Sequence, residues 1–275
     1  MIKKIGVLGC GWLGLPLAES LLKKGYEVRG SSTRASELPA LREKGIAAHR
    51  ILLTENQIEG PIDGFLKGLD ILVLNIPPGL RSNPKADFTA RINLLLPELL
   101  QAGVPRVLFV SSTSVFGSSQ GRVTEATVPI PDTHAGQQLL QAESMFLAES
   151  RIHSQILRLG GLLGADRHPV KYLSGKIIAS GGNQRVNLIS RMDGIAALET
   201  LISHPGMKGV YHAVYPEHPT KRDYYNREAA YLGIPSPEYQ DPAGAPEGKQ
   251  VGSDRLAASG FRFAYPIFSG NGPGI

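Results

Sequence analysis

Along the first 110 residues, short apolar runs alternate with stretches in which apolar side chains recur every three or four positions. Ile2, Ile5, Val7 and Leu8 read as a buried strand, and the pattern from about Leu13 to Lys24 reads as a helix. Gly25 caps that helix, and Tyr26 to Gly30 follows as a second strand. Ser36 to Lys44 predicts a short helix stopped by Gly45, and Ala47 to Leu53 a third strand. The nearly unbroken apolar run Leu69 to Ile76 predicts a fourth. Ala86 to Ala102 keeps helical spacing despite Pro97, a kink point, and Arg106 to Val110 is the fifth strand. Strands and helices in alternation predict an α/β fold built on a doubly wound parallel sheet.

The later chain is more broken. Val186 to Pro205 predicts a strand and helix, and Gly209 to Val214 a further strand. A helix from Lys221 to Leu232 starts at Thr220 as its cap. Pro235 to Gly248 is a proline- and glycine-rich loop, followed by a strand at Lys249 to Val251 and a short helix at Ser253 to Ser259. The tail Ser269 to Ile275 lacks apolar bulk and is expected to fray.

Between the first strand and first helix lies Gly9-Cys10-Gly11-Trp12-Leu13-Gly14, a G-x-G-x-x-G in the strand–turn–helix context it requires. The first glycine allows the tight turn, the second lets a pyrophosphate approach the backbone, and the third lets helix and strand pack closely. Free N–H groups and the positive end of the helix then face the phosphates. A dinucleotide-binding Rossmann domain follows, with Gly9, Gly11, Trp12, Leu13 and Gly14 as its cofactor turn.

The end of the second strand bears on which nicotinamide cofactor binds. An acid there would bond the adenosine ribose hydroxyls and favour NAD. The chain reads Ser31-Ser32-Thr33-Arg34, with no acid before Glu37, so hydroxyls and an arginine favour the 2′-phosphate of NADP. Asn75 and Pro77, in the loop after the fourth strand, stand where the cofactor should lie; Asn75 is equally suited to forming the turn.

Composition narrows the picture. The 275 residues suffice for a full α/β core and a small second lobe. A formal charge of +5 with scattered lysines and arginines suits anionic small ligands and not a nucleic-acid surface. Cys10 is the only cysteine, so no intrachain disulfide forms and a reducing cytoplasm is expected. The opening lysines and apolar run are like those of a signal peptide, but the glycines fit the nucleotide turn better and no cleavage-like site follows. No apolar run is long enough to cross a bilayer, and the seven histidines and one cysteine show no metal-ligand spacing.

From the fifth strand onward the chain resembles the extended short-chain dehydrogenase/reductases, a family that includes sugar-nucleotide epimerases and dehydratases. Ser111-Ser112-Thr113-Ser114-Val115-Phe116-Gly117 is similar to that family's Ser-Ser-x-x-Val-Tyr-Gly segment. Val123-Thr124-Glu125, Pro129, Pro131, Gly136, Glu143, the run Ile156 to Gly164, Val186 to Ile189, Asp193, Gly260-Phe261 and Tyr265-Pro266 continue the likeness. Ser-Ser-Thr-Ser-Val, Arg-His-Pro and Gly-Lys segments resemble those of an atypical bacterial branch, the YeeZ-like proteins. Residues Ile5 to Glu27 alone also suit a 6-phosphogluconate-type 3-hydroxyacid dehydrogenase, but the strands, prolines and glycines that follow do not suit its helical second domain. The resemblance implies a nucleotide domain of residues 1–165 plus 187–214, interleaved with a smaller substrate lobe of 166–186 plus 215–275.

It also implies a hydride-transfer site with a Tyr-x-x-x-Lys pair, whose members share a helix face at i and i+4. In that pair the lysine lowers the phenol's pKa and holds the nicotinamide ribose. Here Ala135 and Leu139 stand at those positions. No tyrosine lies between Tyr26 and Tyr172, and no lysine between Lys85 and Lys171. Ser112 matches the substrate-polarising serine, with Ser111 beside the cofactor and Thr113 beside the substrate. His134 is the nearest titratable group, displaced by about 100° from Ala135 unless a helix begins there, with Thr133 or Asp132 as cap. Arg167, His168, Tyr172 and Lys176 offer charge and hydrogen bonds to an anionic small-molecule substrate, or form a charged linker. Two function classes follow: an NADP-dependent epimerase/dehydratase-like oxidoreductase with a weakened or non-standard site, or a non-catalytic NADP-binding sensor.

Overall fold

A computed structural model describes residues 2–80 and 83–271. Its central element is a seven-stranded sheet. The strands are β1 (Lys4–Leu8), β2 (Glu27–Ser32), β3 (Ala47–Arg50), β4 (Ile71–Leu74), β5 (Arg106–Ser112), β6 (His153–Leu159) and β7 (Gly209–Ala213). Their spatial order is β7-β6-β5-β4-β1-β2-β3, and the pairings from β5 through β4, β1 and β2 to β3 are parallel. The order reverses at β1 and β4, the topological switch point at which doubly wound sheets bind ligands. β4 is buried at all four residues and β1 at its last four, which explains their near-continuous apolar sequence.

The helices of six residues or more are α1 (Gly14–Lys23), α2 (Leu38–Glu43), α3 (Phe88–Gln101), α4 (His134–Ala148), α5 (Arg191–Ser203) and α6 (Lys221–Tyr231). α1 buries Leu17, Ala18 and Leu21 at helical spacing. α3 runs through Pro97 and is capped by the Asp87 carboxylate, which accepts from Ala90 N at 2.8 Å. Two expectations change in detail. The expected third strand breaks at Ile51, and Leu52–Leu53 forms a separate short strand with which Ile58–Glu59 pairs antiparallel. The expected helix 36–44 opens as a 3₁₀ turn over Ala35–Glu37 before α2. The C-terminal tail expected to fray lies, at residues 272–275, outside the described residues.

The chain falls into two compact units. The first holds Met1–Ser112, His134–Leu157 and Leu198–Val210. In it the buried Arg106 donates to the carbonyls of Leu201 and Ile202 at 3.2–3.3 Å, and to Gln155 Oε1 at 3.0 Å. That guanidinium thus closes the carboxyl end of α5, where the helix dipole favours a cation.

The second unit holds Thr113–Thr133, Arg158–Ala197 and Tyr211–Ile275. Its core gathers Leu163, Val170, Val186, Leu188, Tyr224, Tyr225, Tyr239 and Ile267. The strands Gly161–Leu163 and Leu188–Ser190 pair in parallel, as do Arg122–Val123 and Gln250–Val251. α6 starts at the expected Thr220, whose hydroxyl oxygen accepts from Asp223 N. Asp193, fully buried, accepts from Ala264 N at 2.9 Å and Tyr265 N at 3.1 Å, tying the residues that begin α5 to the C-terminal segment.

Candidate cofactor and active site

The glycine turn is built to close tolerances on two of its three glycines. Gly9 has φ +106°, a conformation open to glycine, and an added Cβ would meet Asn75 O at 2.4 Å. A Cβ on Gly14 would meet Gly9 O at 2.1 Å, so α1 lies directly on the turn. At Gly11 a Cβ would meet nothing within 4 Å. Packing within the chain therefore demands Gly9 and Gly14 but not Gly11. The open space at Gly11 leaves room for a pyrophosphate against the backbone, and in this respect the residues present fit a dinucleotide. The turn is held from two sides. Asn75 Nδ2 donates to Gly9 O at 2.9 Å, and Gly9 N donates to Ser31 Oγ at 2.9 Å. Cys10 is buried beside Gly30, and burial pushes its thiol up to about 12, so it packs as a small apolar group.

At the end of β2, Ser31 and Ser32 are buried, whereas Thr33 and Arg34 are exposed. Ser32 Oγ donates to Glu37 Oε2 at 2.5 Å and accepts from Arg34 N at 3.1 Å. The Arg34 guanidinium forms an ion pair with the same Glu37. Glu37, which lies beyond the strand in sequence, thus joins the polar group at its tip. The i, i+3 spacing from Arg34 was visible in the sequence; the contact to Ser32 depends on the 3₁₀ turn. Pro77 is exposed in the loop after β4.

The segment after β5 carries the hydroxyls. Ser111 is buried, and its Oγ donates to Glu143 Oε1 of α4 at 2.5 Å. Ser112, half-buried, ends the strand, and Thr113 opens a 3₁₀ turn to Val115. α4 begins at His134, so this residue is already helical and pairs with Gln138 one turn on, on a face about 100° from Ala135. Gln138 Nε2 donates to His134 Nε2 at 2.8 Å and to Ala86 O at 2.9 Å, while its carbonyl accepts from Phe88 N at 2.5 Å. With Nε2 accepting, the imidazole proton sits on Nδ1. Ala135 is half-buried, and Leu139 is only 5% exposed. The Asp132 carboxylate takes the amide and hydroxyl of Ser118 at 2.6 and 2.7 Å.

In the second unit the four expected substrate-binding residues take different environments. His168 is buried, 3.1 Å from Tyr224 OH and 3.3 Å from the fully buried carboxylate of Glu228. Glu228 also accepts from Ser269 Oγ at 2.6 Å. A cavity of about 220 Å³ beside this cluster is lined by His168, Lys171 and Ser269. Arg167, Tyr172 and Lys176 are exposed, and the i, i+4 spacing of Tyr172 and Lys176 straddles the end of a four-residue helix, Val170–Leu173. Glu125 accepts from the backbone N–H of His212 and Arg255 and so ties these segments together. Sequence reasoning passed over Lys249, whose Nζ donates to Thr113 O at 2.9 Å and also to Phe116 O. Among the described residues no cluster of His, Cys, Asp or Glu has the makings of a metal site, and no helix is long and apolar enough to cross a membrane.

Three comparisons bear on this arrangement. Residues 5–180 match the model of the NAD dependent epimerase/dehydratase family. Protein YeeZ of Escherichia coli K12 is 34% identical over 269 residues, covering 96% of this chain and 97% of that protein. A solved Methylobacillus flagellatus protein assigned to the NAD-dependent epimerases/dehydratases is 28% identical with a TM-score of 0.74, covering 97% of this chain and 94% of that one. Thermus thermophilus UDP-glucose 4-epimerase in complex with NAD superposes with a TM-score of 0.75 over 96% of this chain and 95% of that one. At 20% identity this last match speaks to the fold alone.

Proposed function

The chain belongs to the NAD dependent epimerase/dehydratase family, and within it we propose an NADP-binding oxidoreductase or epimerase-like enzyme whose proton chemistry is weakened or non-standard. The observation that carries the cofactor half is Gly11: nothing in the chain itself requires a glycine there, whereas a pyrophosphate does. Main-chain N–H groups of the turn and the positive end of α1 hold the phosphates, with Trp12 and Leu13 completing the turn. Ser31, Ser32, Thr33 and Arg34 take the adenosine end, where Arg34 meets a 2′-phosphate in place of Glu37. Asn75 acts from behind by fixing the Gly9 carbonyl, with Pro77 and Ser111 flanking the nicotinamide half.

When bound, the cofactor supplies or accepts a hydride at a carbonyl or alcohol carbon. The chain must then orient the substrate oxygen and move its proton. Ser112 and Thr113 hold that oxygen, but an unassisted hydroxyl is a poor proton donor near neutral pH. His134 is the first side chain in line to donate, from Nδ1, while Nε2 keeps the bond from Gln138. Arg167, His168, Tyr172 and Lys176, in the lobe of 166–186 plus 215–275, favour a small anionic substrate. Ala135 and Leu139 support a second reading, a cofactor-binding sensor without turnover. Fluorescence titration with NADPH and NADH, followed by a single-turnover assay of NADPH oxidation, separates the two readings. Tight NADPH binding with measurable hydride transfer supports the enzyme, and binding without transfer supports the sensor.

A further inference from the structure

We propose that Lys249 is a positioning residue for the hydroxyl-bearing turn after β5, bringing a positive charge to the main chain of Thr113. The inference rests on the reading of Ser112 and Thr113 as the groups that hold substrate oxygen. Lys249 lies 136 residues beyond Thr113 in sequence, yet its ammonium donates to Thr113 O at 2.9 Å and also to Phe116 O. The two carbonyls bracket the 3₁₀ turn Thr113–Val115. One cation therefore fixes both ends of the segment that presents Thr113 and Ser114.

Lys249 is itself held by the backbone around it. Asn187 Nδ2 donates to Lys249 O at 2.9 Å, and Asn187 Oδ1 accepts from Val251 N at 2.7 Å. The next residues, Gln250 and Val251, pair with Arg122 and Val123. Two charged groups act on the ammonium. Asp132 favours its charged form, but that carboxylate is already bonded to Ser118. Lys221, whose ammonium donates to Gln184 Oε1 at 2.7 Å, disfavours it. Burial, with Lys221 adding to it against Asp132, brings Lys249 below the usual lysine range. A lysine clamped to two carbonyls beside a second cation provides a directed charge, and one that is lost as pH rises.

The test uses the full chain and its Lys249→Met and Lys249→Arg variants. NMR of dimethylated lysines, with the Lys249 signal identified by its absence from both variants, reads the titration directly, without cofactor. A titration clearly below 10.5 is expected. NADPH binding and NADPH-dependent reduction of 9,10-phenanthrenequinone, a generic dicarbonyl probe, give the second readout. Lys249→Met should leave NADPH affinity within about twofold and lower kcat by about 10²-fold, as for a small misplacement of a positioned group. Lys249→Arg, always charged, should keep most of the rate and lose the basic limb of the wild-type pH profile. That limb should coincide with the titration of Lys249. A Lys249→Met rate equal to wild type, or a basic limb unchanged in Lys249→Arg, overturns the role of Lys249 alone. Absence of NADPH binding in the wild type overturns the cofactor reading, and binding without any hydride transfer overturns the enzyme reading and this role together. If Lys249→Met does not fold, the Lys249→Arg profile and the titration still decide.

Discussion

Glu37 takes the Arg34 guanidinium and, at 2.5 Å, the Ser32 hydroxyl, so one carboxylate controls both polar groups at the tip of β2. A 2′-phosphate on the adenosine ribose competes with Glu37 for Arg34. The ion pair is exposed, and such pairs contribute about 0.2–1 kcal/mol. Glu37→Gln should therefore raise NADPH affinity about two- to fivefold without a matching gain for NADH. Arg34→Ala should weaken NADPH by about tenfold or more. Fluorescence titration of both cofactors checks this, and equal responses to the two would reject Arg34 as a phosphate ligand.

Gly11 and Gly14 should part company on replacement by alanine. The Gly14 Cβ would lie 2.1 Å from Gly9 O, main-chain atoms that cannot step aside, so Gly14→Ala should lower Tm and abolish cofactor binding. Gly11→Ala enters open space at an ordinary φ, and loss of glycine's unfolded freedom should offset any cost, leaving Tm within a few degrees. Its effect should fall on NADPH binding. A Gly11→Ala chain that binds NADPH normally would remove the argument that this space belongs to a pyrophosphate.

The nucleotide half was legible because its signals are local. β1, the turn and α1 follow one another within 20 residues, although the close approach at Gly9 comes from Asn75, far along the chain. The resemblance pointed to Ser111 and to Glu143 separately, but not to the bond between them, which spans 32 residues. Ala47 to Leu53 read as one strand because the break at Ile51 falls within an apolar run, Ile51 to Leu53, that gives no turn signal. The helix Ile62–Leu66 is too short to display a period. His168 stands between Arg167 and Pro169 in sequence, and only tertiary structure sets Glu228, 60 residues on, beside it. Lys249 was invisible for the same reason: its contacts are carbonyls, which no side-chain pattern announces.

Stability should fall on the acid side, with His212 contributing most visibly. This imidazole is fully buried, with Nδ1 against Gly252 O at 2.9 Å and Nε2 facing the Arg158 guanidinium at 3.4 Å. Burial pulls its pKa from 6.5 to about 4. Between those values the unfolded chain binds the proton and the folded chain does not. The associated stability is complete above pH 6.5 and is lost as pH falls towards 4, by up to about 3 kcal/mol. Urea unfolding at pH 7 and pH 4.5 should show a smaller decrease in His212→Gln than in the wild type. An identical decrease would mean that other groups carry the acid sensitivity.

The final prediction concerns the two positions on α4 where the family's resemblance places a tyrosine and a lysine. Ala135 and Leu139 are one turn apart and share a helix face, so their register suits the pair. Their environments differ, however: Ala135 is half-buried, and Leu139 is 5% exposed. Leu139→Lys alone removes a buried apolar side chain and brings an ammonium among apolar neighbours, so it should lower Tm by several degrees. The double variant Ala135→Tyr with Leu139→Lys gives that ammonium a phenol to bond and a route towards the substrate side. Losing a positioned general acid typically removes about 10²–10⁴-fold of rate, so the wild type should bind NADPH yet reduce carbonyl probes slowly. The double variant should recover part of that factor while NADPH affinity changes little, and neither single variant should match it. Stopped-flow NADPH oxidation with one dicarbonyl probe, run on all four proteins, measures each rate directly. If the wild type already runs as fast as the double variant, a different acid serves the site, and His134→Gln becomes the decisive substitution.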